Sequence, residues 1–224
     1  KIGEKSFGVA EFIAAEEMGR RRGYWWSPNN DKLLVTSVDE SDVLSWHILK
    51  SSDPSDAPVV IKYPKAGTKN PDVGLAIYSL DGESVPVNWS QSNTWEYLVN
   101  VQWTEPDSIF ATVQTRDQKT TGILHVNASS GSIDEIYRWE DNCWVEIIPG
   151  APKVVGERVV TIEDHGETRR VVIDGIPCSP KELQIRSLIH CGEDGLLATC
   201  SPNPLDQQIC HVTFSGETTL VTRS

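Results

Sequence analysis

Glu16 and Glu17 are adjacent carboxylates in the dense stretch Ala10 to Pro28, and Arg20 follows them by four and three residues. Two carboxylates on one short turn can converge on a primary ammonium, which has three donors to satisfy and a charge that relieves the carboxylates' mutual repulsion. The same spacing also fits a solvated helix face. There, a Glu with an Arg three or four residues on forms an ion pair worth roughly a few tenths of a kcal/mol. Spacing alone leaves both readings open.

Other chemistry is thinner. No Gly-x-Ser-x-Gly nucleophile elbow occurs, so the chain offers no activated serine for acyl transfer. His190-Cys191, Cys200 and Cys210-His211 hold soft ligands, but their intervals of nine and ten exceed the two to four typical of zinc knuckles. They read as buried or edge-strand cysteines, with no metal and no cofactor expected. His47, His125 and His165 are isolated and read as structural or exposed. Trp26 and Trp103 lie just before turns at repeat positions, which favours packing over carbohydrate binding.

Composition narrows the partners. The 224 residues carry 20 Lys and Arg against 32 Asp and Glu, a net charge of −12, and such a surface repels phosphate. Nucleic acid and anionic membrane are poor partners, whereas amine-bearing ligands fit. No apolar run approaches a membrane span, the longest candidates such as Val73 to Leu80 stopping at strand length. The chain opens at Lys1 without a signal pattern, and so reads as a piece of a longer protein. Five cysteines without a C-x-x-C argue against a disulfide framework and for a reducing compartment.

The elements that must position the carboxylates are mostly strands. Short β-branched and apolar runs alternate with Gly, Asn, Asp and Pro turns, as in Lys32 to Val38 and Val154 to Ile162. The same pattern predicts strands at Val43 to Lys50, Val73 to Leu80, Glu96 to Trp103, Ser108 to Thr115, Gly122 to Asn127 and Ile133 to Trp139. Further ones fall at Thr168 to Ile173, Ser187 to Cys191, Gly195 to Ser201 and Gln208 to Phe214. One short helical turn, around Phe12 to Arg20, carries the Glu pair.

Four segments repeat a turn followed by an apolar pair and a small or β-branched residue: Pro28 to Val35, Glu105 to Ala111, Gly156 to Thr161 and Gly192 to Ala198. With the second apolar residue as anchor (Leu34, Phe110, Val160, Leu197), the intervals are 76, 50 and 37 residues. The last two bracket the roughly 40 to 50 residues of a four-stranded propeller blade, and the first is a blade plus an insertion. The expected fold is all-β, a β-propeller fragment of about four blades over residues 1–224, with a β-sandwich as the alternative. Such a fragment exposes apolar end faces, which predicts self-association, in the form of a homodimer.

These residues together resemble the N-terminal propeller of the dipeptidyl peptidase IV family, within the prolyl oligopeptidase superfamily. The resemblance rests on the Glu pair, the Arg three residues past Glu17, Trp25-Trp26-Ser27-Pro28 starting eight residues past Glu17, and the run Tyr63 to Pro71. It covers the first 80 residues and fades afterwards into propeller repeat. Gly23-Tyr24 ahead of the Trp pair is most similar to the cytosolic type, which implies a cytoplasmic protein. The resemblance also implies an eight-bladed propeller capping an α/β-hydrolase domain, absent from this chain, that removes N-terminal dipeptides. Glu16 and Glu17 would then hold the α-ammonium of peptides with a free N-terminus, and Arg20 would orient the Glu pair or a substrate carbonyl, orientation being favoured. Tyr63 to Pro71 is architectural in that scheme. Around Cys143 to Pro149, a Trp-Val pair resembles a loop where some members present an aromatic and an Arg to the substrate. Here Ile147, Ile148 and Pro149 follow instead, a departure from the family's pattern. A non-catalytic propeller that binds proteins is the alternative function.

Overall fold

The computed structural model describes residues 5–90 and 94–222. It is all-β, with one short α-helix. The chain divides into two compact units, residues 1–113 with 124–134, and residues 114–123 with 135–224.

In the first unit, β1 (Lys5–Phe7) and β2 (Tyr24–Trp26) lie end to end along one edge of β3 (Lys32–Asp39). Lys5 to Phe7 pair with Asp39 to Ser37, and Tyr24 to Trp26 pair with Val35 to Leu33. The edge strand is therefore one strand interrupted by an excursion, residues 8–23, and that excursion holds the helix α1 (Phe12–Glu16). After β3, a hairpin arm of β4 (Ser45–Ile48) and β5 (Val59–Lys62) leaves the sheet. The sheet then resumes with β6 (Asp72–Ser79) against β3 and closes with β7 (Ser84–Val87). The arm is the insertion that lengthened the first interval of the repeat.

A second antiparallel sheet runs in sequence order through β8 (Tyr97–Glu105), β9 (Ser108–Gln114), β10 (Thr120–Asn127) and β11 (Ile133–Glu140). The core of the first unit gathers Trp25, Leu34, Ile77, Leu98, Ile109, Val113 and Val126 among others. In the second unit, β12 (Lys153–Val155), β13 (Arg158–His165), β14 (Thr168–Ile173) and β15 (Ile176–Pro177) form a third sheet. The fourth comprises β16 (Ile185–Gly192), β17 (Gly195–Cys200), β18 (Gln208–Val212) and β19 (Thr218–Leu220). These two share a core of Val160, Ile162, Val171, Ile185, Leu196, Cys200 and Cys210 among others. Each four-stranded antiparallel meander is the unit of a propeller blade.

All four repeat anchors fall on the second strand of a sheet, yet their faces differ. Leu34 and Val160 point into a core, whereas in the other two blades the preceding residues, Ile109 and Leu196, are the buried ones. A strand's side chains alternate, so aligning by composition alone can slip by one residue and exchange the faces. The predicted strand Val154 to Ile162 is a hairpin, broken at Gly156, whose φ of +59 suits a tight turn. The predicted helix to Arg20 stops at Glu16. Trp26, expected to pack a blade, is 49% exposed, and its neighbour Trp25 is the one in the core. The short edge strands β1, β2, β5, β7, β15 and β19 had no sequence signal of their own, because two to four residues cannot display a period.

The excursion is pinched at its base by backbone hydrogen bonds. Gly8 N–H donates to Thr36 O at 2.9 Å, Gly23 N–H to Gly8 O at 3.0 Å, and Thr36 N–H to Gly23 O at 2.8 Å. The buried Thr36 hydroxyl donates to Val9 O at 2.9 Å and also lies 3.2 Å from Gly23 O. No side chain fits at residue 23. A Cβ there would lie 1.9 Å from Thr36 Oγ1 and 2.4 Å from Val9 O, the second being backbone that cannot swing away. Gly23→Ala should therefore destabilise the protein by roughly 1 to 3 kcal/mol, the range of an overpacked core. Thermal unfolding would read this as a lowered midpoint, and an unchanged midpoint would show that the pinch is looser than described.

Candidate functional site

Helix α1 is only five residues long, too short to stand by propensity, so tertiary contacts hold it. Ala14 is its buried residue. At its start, the Phe12 ring meets the Tyr63 ring edge-on at 5.2 Å between centroids, and Tyr63 meets Trp46 of β4 at 5.9 Å. Its end is closed by Gly19, which takes a φ of +67, while Arg20 N–H returns to Ala14 O at 2.9 Å. This is the closure that a left-handed glycine allows after a helix.

Glu16 is the last residue of α1 and Glu17 caps it. Both side chains are exposed, and among the described residues neither carboxylate has a hydrogen bond or ion pair. Arg20 does not join them. Its guanidinium turns under the helix, where Nη2 donates to Glu11 Oε2 at 2.7 Å, Nε to Leu98 O at 3.0 Å and Nη1 to Arg22 O at 3.1 Å. The two side chains are 3% and 4% exposed. Burial pulls the guanidinium below its ordinary value, while the charge and hydrogen bond of Glu11 oppose that shift. The indole of Trp25 lies beside it, its centroid 6.0 Å from the guanidinium carbon.

The direct orientation of the Glu pair by Arg20, and the surface ion pair that spacing also allowed, are thus both absent from this geometry. The helix stops before Arg20 can occupy the same face, and the buried Glu11 is a better partner for a desolvated cation. Sequence reasoning passed over Glu11. It stands at the helix N-cap, with φ −72 and ψ 168, yet makes no capping hydrogen bond. An acid in a capping position that is unfit to cap was its one visible signal, since Glu is a poor N-cap.

Several other residues settle into structural places. Asn70, in the Tyr63 to Pro71 run, donates to Glu96 Oε1 at 2.8 Å and lies 3.2 Å from the Tyr97 hydroxyl, tying that run to β8. In the second unit, Trp144 is exposed and its indole N–H donates to Glu146 Oε2 at 3.3 Å. Strand alternation places Cys210 in the core and His211 opposite Leu197 on the other face. His190 also lies opposite Leu197, so the cysteines and histidines do not share a face. His125 Nε2 is 2.9 Å from the Ser108 hydroxyl, and its ring stacks on Phe110 at 5.3 Å. Among the described residues, no group of three or more His, Cys, Asp or Glu could hold a metal.

Residues 3–169 match the family described as dipeptidyl peptidase IV (DPP IV) N-terminal region. Among curated relatives, a venom dipeptidyl peptidase 4 of Vespa velutina is 30% identical over 154 residues, covering 62% of this chain and 20% of that protein. Dipeptidyl peptidase 8 of Homo sapiens is 29% identical over 128 residues, covering 48% of this chain and 14% of that one. The chain thus spans about a fifth or less of the length of these relatives. The crystal structure of Porphyromonas gingivalis dipeptidyl peptidase 4 superposes with a TM-score of 0.85 at 17% identity, over 100% of this chain and 34% of that one.

Proposed function

Because this chain belongs to the family of dipeptidyl peptidase IV N-terminal regions, we propose that it recognises substrate in a longer serine dipeptidyl peptidase, which removes dipeptides from free peptide N-termini. Glu16 and Glu17 bind the substrate's α-ammonium, and the bond cleaved is fixed by its distance from that anchor. The observation that carries this reading is an electrostatic one. Three arginines follow within five residues, yet the two carboxylates are adjacent, exposed and unpaired among the described residues. Two such charges repel each other, and a single ammonium relieves the repulsion while donating to both. The acidic balance of the whole chain favours a cationic ligand as well.

In this reading the nucleophile, base and oxyanion donors belong to an α/β-hydrolase domain of the same protein, which is the propeller's natural partner. A reducing, cytoplasmic setting is part of the proposal, and the five free cysteines support it. Self-association is part of it too. The β4–β5 arm exposes Trp46, Ile48, Val59 and Val60, apolar side chains that water leaves uncovered only at a cost.

Replacing Glu16 or Glu17 by Gln in the full-length protein should lower kcat/KM for a free-amine dipeptide amide by roughly 10- to 100-fold, the range for losing a hydrogen bond to a charged group. An N-acetylated substrate has no ammonium to lose and should scarcely respond. Equal, small effects on both substrates would remove the assignment.

The isolated chain should show no turnover of the same reporter, since its sequence has no Gly-x-Ser-x-Gly nucleophile elbow. Activity that persists through purification and is blocked by a serine-directed phosphonate would overturn this. Sedimentation should show mass rising with concentration, whereas a strict monomer at high concentration would count against self-association.

A further inference from the structure

We propose that Glu11 is a positioning residue for ammonium recognition: its buried carboxylate holds Arg20 away from Glu16 and Glu17, leaving both charges free for the incoming amine. The inference rests on the amine-binding reading above and explains how that site stays open. Arg20 is the nearest cation in sequence to both carboxylates, and exposed Glu and Arg side chains at such spacing normally pair. An Arg20 in water would compete with every substrate ammonium.

The geometry removes that competitor. Arg20 gives one guanidinium nitrogen to Glu11 and the other two to the carbonyls of Arg22 and Leu98, so each nitrogen of the fork already has a partner away from the Glu pair. The arrangement is a costly way to gain stability. The desolvation penalty of a buried ion pair can exceed its attraction, and among the described residues Glu11 Oε1 is buried without a hydrogen-bond partner. Replacing a buried ion pair by well-packed apolar residues is often neutral or stabilising. An ion pair retained there makes sense as a holder of charge, keeping one acid and one base out of the solvent that Glu16 and Glu17 share with their ligand. Without Glu11, Arg20 would be a buried cation three and four residues from two exposed carboxylates, and escape toward them would be favourable.

The test uses the full-length protein and matched dipeptide amide reporters with free and N-acetylated termini. Active enzyme is counted by titration with a serine-directed covalent inhibitor, so that losses in folding drop out. Glu11→Gln should raise KM for the free-amine substrate roughly 5-fold, the penalty for displacing an exposed ion pair before the amine can bind. The kcat and the blocked substrate should be unchanged. The double variant Glu11→Met with Arg20→Met removes the competitor together with its holder and should restore the KM. If Glu11→Gln does not fold, Glu11→Met with Arg20→Lys takes its place against that double variant, because the two differ only by a released cation. An unchanged KM, or equal losses on both substrates, would overturn the inference. Glu16→Gln and Glu17→Gln serve as controls. If they leave the preference for free amines intact, the amine-binding reading itself has failed; if they abolish it while Glu11→Gln does nothing, only the role of Glu11 has.

Discussion

A guanidinium taken out of water must keep its charge balanced and its nitrogens hydrogen-bonded, and Arg20 does so with one bond from each nitrogen, to partners from three places in the chain. Glu11 comes from the start of α1, Arg22 from the segment that leads into β2, and Leu98 from β8. A helix of five residues cannot define its own orientation, so buried Ala14, the Gly19 closure and the Phe12–Tyr63 contact set where its last residue points, and these bonds brace the chain beneath it. The position of Glu16 and Glu17 is therefore a property of the first unit's core as much as of the turn that carries them.

The scaffold beneath follows a simple plan, an edge strand opened in its middle. β1 and β2 share one neighbour, and the residues between them leave the sheet and return within a hydrogen bond of where they left. Such an opening costs the ladder only a few pairs because the edge has no neighbour on its far side. A central strand could not be interrupted in this way without orphaning backbone groups on two sides. Thr36 and Gly23 complete the plan, the first by spending its hydroxyl on the excursion's carbonyls and the second by having no side chain to keep the backbones apart.

Much of this was legible in the residues. The turn-plus-apolar-pair repeat located the second strand of all four blades, because a core-facing strand after a tight turn needs both features at once. Glu16 and Glu17 stood out because adjacent acids before an arginine cluster are chemically conspicuous. The inward face of each repeat escaped, since an apolar pair such as Ile109-Phe110 offers both faces a plausible residue. The partner of Arg20 escaped for another reason. Helical spacing names residues sixteen and seventeen, whereas the early end of the helix, an outcome of packing, and the buried Glu11 carboxylate together turn the side chain to residue eleven.

One bond carries a consequence in time. The carbonyl that completes Arg20's shell lies 78 residues further along the chain. During synthesis the Glu-bearing turn emerges with Glu11 and Arg22 already at hand, while Leu98 is made only after the whole first sheet and its hairpin arm. A nascent chain thus holds a half-solvated arginine until β8 docks, and contacts so distant in sequence form late because loop closure precedes their reward. The Glu-bearing turn is made well before β8 and set in place only once the second sheet has begun.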